Sequence, residues 1–254
     1  MSDSELEIFC CRIADIDATL LAHYEQILDA AEQRRLASFQ ADTARTAFLI
    51  SRALLRTTLA ARLHCAPTEL QFIRDANDKP QLAEPFANWH FNLSHSGAWV
   101  TLALSQIGPV GIDVESHERK NNLAGIAQRF FSAEENATLV GLDNTRWLQQ
   151  FFAIWTIKEA HAKALGCGLS KILSCSSFSV DMNKQSIALT LSAAAAPDSA
   201  VLSQLYRLDD SVSLALVQLD AIAATPAIIR SVPLVSENVV ALQPLTVGNW
   251  SPSR

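Results

Sequence analysis

The feature that most constrains this chain of 254 residues is an order of elements that occurs twice, a long helix followed by a run of short strands. From about Thr43 to Leu63, the residues Phe48, Leu49, Ala53, Leu55, Leu59 and Leu63 recur near helical spacing, and Pro67 stands beyond them as a stop. Strands are expected over Leu70–Arg74, Trp89–Leu93, Trp99–Leu104 and Val110–Glu115, with turns at Asn77–Pro80 and Ser94–Gly97. The second half has a helix start at Ser132-Ala133-Glu134-Glu135 and a long helix from about Thr145 to Leu165, ending at Gly166. Strands are expected after it at Ser177–Asp181, Ile187–Leu191, Leu202–Leu208 and Val212–Gln218. The repeat is one of layout, not of sequence identity. It predicts an α+β fold of two similar, pseudo-twofold-related halves, each a long helix packed on a small, mainly antiparallel sheet. The expected divisions are 1–114, 115–224 and a peripheral tail over 225–254.

Composition narrows the class. A net charge of −6 argues against a nucleic-acid partner, which usually leaves a basic footprint. A local cluster of Arg and Lys can still hold an anion within a screening length of ~10 Å. No apolar run approaches the ~20 residues that span a bilayer, so no membrane partner is expected. The start, Met1-Ser2-Asp3-Ser4-Glu5, is acidic where a signal peptide would be basic. Cys10, Cys11, Cys65, Cys167 and Cys175 form no metal-finger spacing and fit free thiols, which places the expected site of action in the cytoplasm.

Four elements carry candidate chemistry, each with a bland reading beside the functional one. In Val110-Gly111-Ile112-Asp113-Val114-Glu115, side chains at i and i+2 leave a strand on the same side, so Asp113 and Glu115 point together. They are either a site for a hard cation such as Mg²⁺ or two solvated acids at a strand end. On the second long helix, Ala153, Ile157, Ala160 and Ala164 form an apolar stripe, and Thr156, Glu159 and Lys163 share another face, bracketed by Phe152 and Trp155. That face is either part of a closed site or an exposed Glu–Lys pair worth ~0.3–0.5 kcal/mol. Ser94-His95-Ser96-Gly97 offers anion-binding donors, or a polar hairpin turn. Arg45, Arg52 and Arg56 share a helix face that either holds phosphate or is simply solvated. The remaining histidines are read as structural. Together these are the parts needed for attack at a phosphorus centre: acids for a metal, a carboxylate base and cations to spread charge.

The phrases FNLSHSGAWV, VGIDVE and WTIKEAHAKALGCGL, in this order, resemble the Sfp-type 4′-phosphopantetheinyl transferases, and the resemblance runs from about Arg35 to Leu219. It implies a monomer with coenzyme A as co-substrate in a cleft between the halves. The phosphopantetheine arm would pass to a serine of an acyl, peptidyl or aryl carrier protein, releasing 3′,5′-ADP. It further implies Asp113, Glu115 and Glu159 as ligands of Mg²⁺ (or Mn²⁺), Glu159 as the base, and Lys163 beside the bridging oxygen. Ser94 and His95 would be phosphate ligands; Arg35, Arg45 and Lys79 would surround the 3′-phosphate and adenine; Lys158 would make a lesser contact. Arg119, Lys120 and Arg129 are candidates for docking an acidic carrier. Two residues depart from the family pattern: Asp78 stands before Lys79-Pro80 where Gly is usual, and Glu32 lies where some relatives carry Lys.

Overall fold

The computed structural model describes residues 6–118, 122–172, 176–182, 184, 186–191, 200–221, 228–232 and 246–250. The chain begins β1 (Leu6–Arg12), α1 (Ala18–Gln26), α2 (Ala30–Ala37), α3 (Asp42–Leu63), β2 (Phe72–Arg74), β3 (Pro80–Leu82), β4 (His90–Ser96), β5 (Trp99–Ser105) and β6 (Val110–Ser116). It continues α4 (Leu123–Phe130), α5 (Ala133–Ala137), α6 (Asn144–Leu165), α7 (Leu169–Ile172), β7 (Ser176–Asp181), β8 (Ser186–Leu191), β9 (Val201–Asp209), β10 (Val212–Gln218), β11 (Ile228–Val232) and β12 (Thr246–Trp250). One sheet has the order β11-β1-β5-β4, the other β6-β10-β9-β12-β8-β7, and β2 and β3 form a separate ribbon. Both long helices lie where their periodicity puts them. α6 ends at Gly166 in the left-handed conformation (φ +63°), and α5 starts with the capping box of Ser132 and Glu135.

Strand alternation builds four layers. Phe9 and Cys11 of β1 and Val100, Leu102 and Leu104 of β5 pack with Leu55 and Leu59 of α3. The opposite faces, Leu6, Ile8, Cys10 and Ala103, meet Ile112 and Val114 of β6 and Leu214 and Leu216 of β10, so the two sheets pack face to face. The outer face of β10, Ala215 and Val217, joins Phe152, Ile157 and Ala160 of α6. Each half is therefore a long helix on a mainly antiparallel sheet, the α+β class expected from the layout.

Two boundaries differ from the expectation. β6 was assigned to the first half, yet it hydrogen-bonds along its whole length to β10 of the second, so position 114 falls inside a strand of that sheet. The segment 225–254, expected to be a peripheral tail, contributes a strand to each sheet where it is described. β11 lies parallel to β1, and β12 fills the gap between β9 and β8. Its few apolar anchors hid a role that backbone hydrogen bonds perform.

The seam between the halves is formed by side chains. β4 and β6 are the adjacent edges of the two sheets, and no backbone ladder joins them. Instead Asn92 Oδ1, Ser94 Oγ and Ser96 Oγ accept from the amides of Ile112 (2.9 Å), Val114 (3.3 Å) and Ser116 (3.1 Å). Alternate residues of one edge thus satisfy alternate donors of the other, which would otherwise be orphaned. Ser94-His95-Ser96 is accordingly strand, not the turn expected there; the turn is at Gly97-Ala98.

Candidate active site

The comb of β4 carries the candidate chemistry because its teeth also touch the acids of β6. Asp113 and Glu115 point together, as alternation requires, toward the C-terminal half of α6. Asp113 is 5% and Glu115 8% exposed, so they are not two solvated acids at a strand end. Lys163 Nζ donates to Asp113 Oδ1 (2.6 Å), Ser94 Oγ (2.9 Å) and Ile112 O (3.2 Å), and Ser94 Oγ donates to Asp113 Oδ1 at 2.9 Å. Glu115 is held at both ends. Trp155 Nε1 donates to Oε1 (2.9 Å), and Ser96 Oγ donates to Oε2 (3.2 Å).

Asp113 Oδ2 is buried with no hydrogen-bond partner. Burial pushes the Asp113 carboxyl up to about 6; Lys163 opposes this, and the negative charges of Glu115 and Glu159 add to it. Three acids thus feel one another across sequence separation, and an unpartnered carboxylate oxygen among them fits a hard cation. Among the described residues, however, no group of three or more His, Cys, Asp and Glu side chains is drawn into a ready-made metal cage. Lys163 is the cation standing on Asp113 in this structure.

The face of α6 expected to be polar is not uniformly open: Glu159 and Lys163 are half-buried. Thr156 is fully buried and donates to Phe152 O. Lys158, expected to touch coenzyme A, is instead sealed in the core. Its ammonium donates to both oxygens of Glu135 (3.0 and 2.9 Å) and to Ser176 O, and neither side chain of the pair is exposed. The one-residue offset between Lys158 and Glu159 turns them to different sides of the helix. Phe152 stacks on His117 with centroids 4.4 Å apart, and the bracketing Trp155 is itself a donor to the site.

The expected phosphate ligands divide. Ser94 lies in the seam, whereas its neighbour His95 leaves β4 on the other side and is exposed, its pKa lowered by partial desolvation and by Lys163. Arg45 pairs with Glu25 near solvent, at 2.5 Å. Arg56 is fully buried, bonded to Glu32, Asp29, Pro67 O and Leu70 O, so the row of arginines on α3 is largely an internal network. Glu32 explains its own departure from the family pattern. It is buried as the shared counterion of Arg52 and Arg56 and closes the capping box of α2. Arg35, Arg52 and Arg74 line a cavity of about 240 Å³ with Phe48, Phe72 and Pro80; Asp29 and Glu32 also line it, and Arg52 is paired with Glu32 and Arg74 with Asp78.

Lys79 lines a second cavity of about 180 Å³, with Trp89, His90, Pro80 and Gly166. Its ammonium donates to Lys163 O (2.7 Å), Ala164 O (3.1 Å) and Val110 O (3.3 Å). Asp78, the other departure, has φ +65°, a conformation that Gly adopts freely and Asp tolerates better than most residues, which accounts for Gly being usual there. Arg119 and Lys120 lie outside the described residues; Arg129 is exposed at the end of α4.

Asn92 and Glu135 were not among the site expectations; Ser96 was expected as an anion donor and Trp155 as a bracketing ring, whereas both hold Glu115. The alternation Asn92-Ser94-Ser96 marks one face of a strand, and a buried indole N–H needs an acceptor, but neither signal names its partner.

A family model described as the 4′-phosphopantetheinyl transferase superfamily matches residues 109–217, and one described as 4′-phosphopantetheinyl transferase, N-terminal, matches residues 17–107. A phosphopantetheinyl transferase of Thraustochytrium is 31% identical over 210 residues, covering 76% of this chain and 70% of that protein. A putative 4′-phosphopantetheinyl transferase of Synechocystis is 35% identical over 156 residues, covering 61% of this chain and 63% of that protein. The 4′-phosphopantetheinyl transferase psf-1 of Bacillus pumilus is 39% identical over 145 residues, covering 57% and 58%. The matched region thus spans less than two thirds of the Synechocystis and Bacillus proteins.

Proposed function

Because this chain belongs to the 4′-phosphopantetheinyl transferase superfamily, we propose that its seam between β4, β6 and α6 transfers the phosphopantetheine arm of coenzyme A to a serine of an apo carrier protein. The observation that carries the proposal is the buried Asp113 with its unpartnered Oδ2, flanked by Glu115 and Glu159 and closed by Lys163. A pure binding module has no need to maintain so costly a group.

Asp113, Glu115 and Glu159 would hold Mg²⁺, with Mn²⁺ as the alternative. A bound ion would screen the negative charge of the coenzyme A diphosphate. Trp155 and Ser96 fix Glu115, and Ser94 fixes Asp113, so these acids are preorganised. Glu159 accepts the proton of the carrier serine as its oxygen bonds to the pantetheine-side phosphorus. The phosphoanhydride bond breaks, and 3′,5′-ADP leaves with the negative charge. Lys163, 29% exposed at its side chain, is placed to stabilise that charge and to protonate it. The cavity of Arg35, Arg52 and Arg74 receives the 3′-phosphate end, and Pro80 lies in the walls of both cavities. Residues of both halves of one chain make the site, which supports a working monomer. The free thiols of Cys10, Cys11 and Cys65 support a cytoplasmic setting, and among the described residues no helix is long and apolar enough to cross a membrane.

The test is incubation of several apo carrier proteins with coenzyme A and Mg²⁺, read by intact-protein mass. Gain of one phosphopantetheine on the carrier serine is the expected result. Release of 3′,5′-ADP without an acceptor would identify a phosphohydrolase, and binding without turnover a coenzyme A module; either outcome overturns the proposal.

A further inference from the structure

Lys79 has partners that a nucleotide ligand would not need. An ammonium has three N–H donors, and all three are taken by main-chain carbonyls: two in the last turn of α6 and one at the start of β6. The last carbonyls of a helix have no partner within it and carry the negative end of the helix dipole, so a cation there is favoured. Gly166 makes room. A Cβ on it would stand 3.4 Å from Lys79 Cδ, so the aliphatic stem lies against the glycine. The turn before it is fixed by Asp75 Oδ1, which accepts from the amides of Asn77 and Lys79. Desolvation lowers the Lys79 pKa to about 8, against the raising effect of Asp75. A half-buried amine under that penalty is retained where its hydrogen bonds are needed.

We infer that Lys79 is a positioning residue: it bridges the two halves by capping α6 at the carbonyl of Lys163 and so sets where the Lys163 ammonium stands over Asp113. The inference rests on the transferase reading and deepens it. Residues 79 and 163 are 84 positions apart, so this bridge ties the β2–β3 ribbon of the first half directly to the catalytic end of the second. A shift of ~1 Å at such a position is enough to cost on the order of a hundredfold in rate.

The experiment compares Lys79→Met and Lys79→Arg with wild type in the full chain, using coenzyme A and 3′-dephospho-coenzyme A as donors. Lys79→Met should lower kcat at least tenfold while leaving the ratio of the two donors' KM values unchanged, and Lys79→Arg should restore part of the rate. In a Lys163→Met background, Lys79→Met should cost no more than twofold further, because it acts through that residue. Amide exchange at Gly166 and Cys167, which donate to Lys163 O and Ala162 O, should quicken in Lys79→Met, a readout that requires no turnover. A KM increase confined to coenzyme A would identify a 3′-phosphate ligand and overturn the inference. So would a multiplicative loss in the Lys163→Met background, or unchanged exchange at those amides. If wild-type protein modifies no carrier, the transferase reading fails, and the exchange experiment alone still decides whether the cap exists.

Discussion

Gly111→Ala tests whether the apposition of β6 and α6 is what holds the site. A Cβ at position 111 would stand 2.0 Å from Ala160 O, 2.4 Å from Ala164 N and 3.0 Å from Ala164 Cα. All three are backbone atoms, so no rotamer change relieves the clash; relaxing to ordinary van der Waals separation moves the helix or strand by more than ~1 Å. Ala160 and Ile112 on either side are fully buried, leaving little slack. Overpacking costs ~1–3 kcal/mol, and a backbone-on-backbone clash belongs at the upper end. At ~2–4 °C per kcal/mol for a chain of this size class, Tm should fall by about 6–12 °C. Because the displaced helix carries Glu159 and Lys163, kcat at 25 °C should fall by on the order of a hundredfold in protein that is still folded. Thermal unfolding and carrier modification on the same preparation give both numbers. A variant that melts with wild type, or that melts lower yet turns over normally, would refute the claim that this contact sets the geometry.

Lys158→Met leaves the Glu135 carboxylate buried and should cost ~3–5 kcal/mol of stability. Chemical denaturation checks it, and a rise in coenzyme A KM at unchanged stability would contradict the structural role. Asp113→Asn should raise Tm at pH 7 in EDTA while reducing carrier modification. The folded carboxyl binds its proton more tightly than the usual value of 3.8, so its contribution is full below pH 3.8 and lost as pH rises through about 6. The neutral amide escapes that loss, by up to ~3 kcal/mol at pH 7, and the advantage should vanish below pH ~4; an equal gain at all pH values would refute the sign. Glu159→Gln should lower turnover by ~10²–10⁴-fold with Tm within a few degrees of wild type, measured by mass and by calorimetry. Parallel loss of stability and activity would make Glu159 a structural residue.

The sequence by itself determined the long helices, most of the strands and the pairing of Asp113 with Glu115, because these follow from periods of 3.6 and 2 within a few residues of chain. It also supplied the motif order that identified the family. It could not show that Lys158 faces Glu135 while Lys163 faces Asp113, because both lysines sit on one helix and only packing decides which side is core. The serine comb read as a turn because its acceptors serve an edge strand some 20 residues away. Nor could the sequence show the carbonyl partners of Lys79, which are 31 to 85 residues distant. Local chemistry is written in the chain, but the partner of each charge is decided by which elements the folded core brings together, since a buried polar group must be satisfied by whatever lies within hydrogen-bond reach.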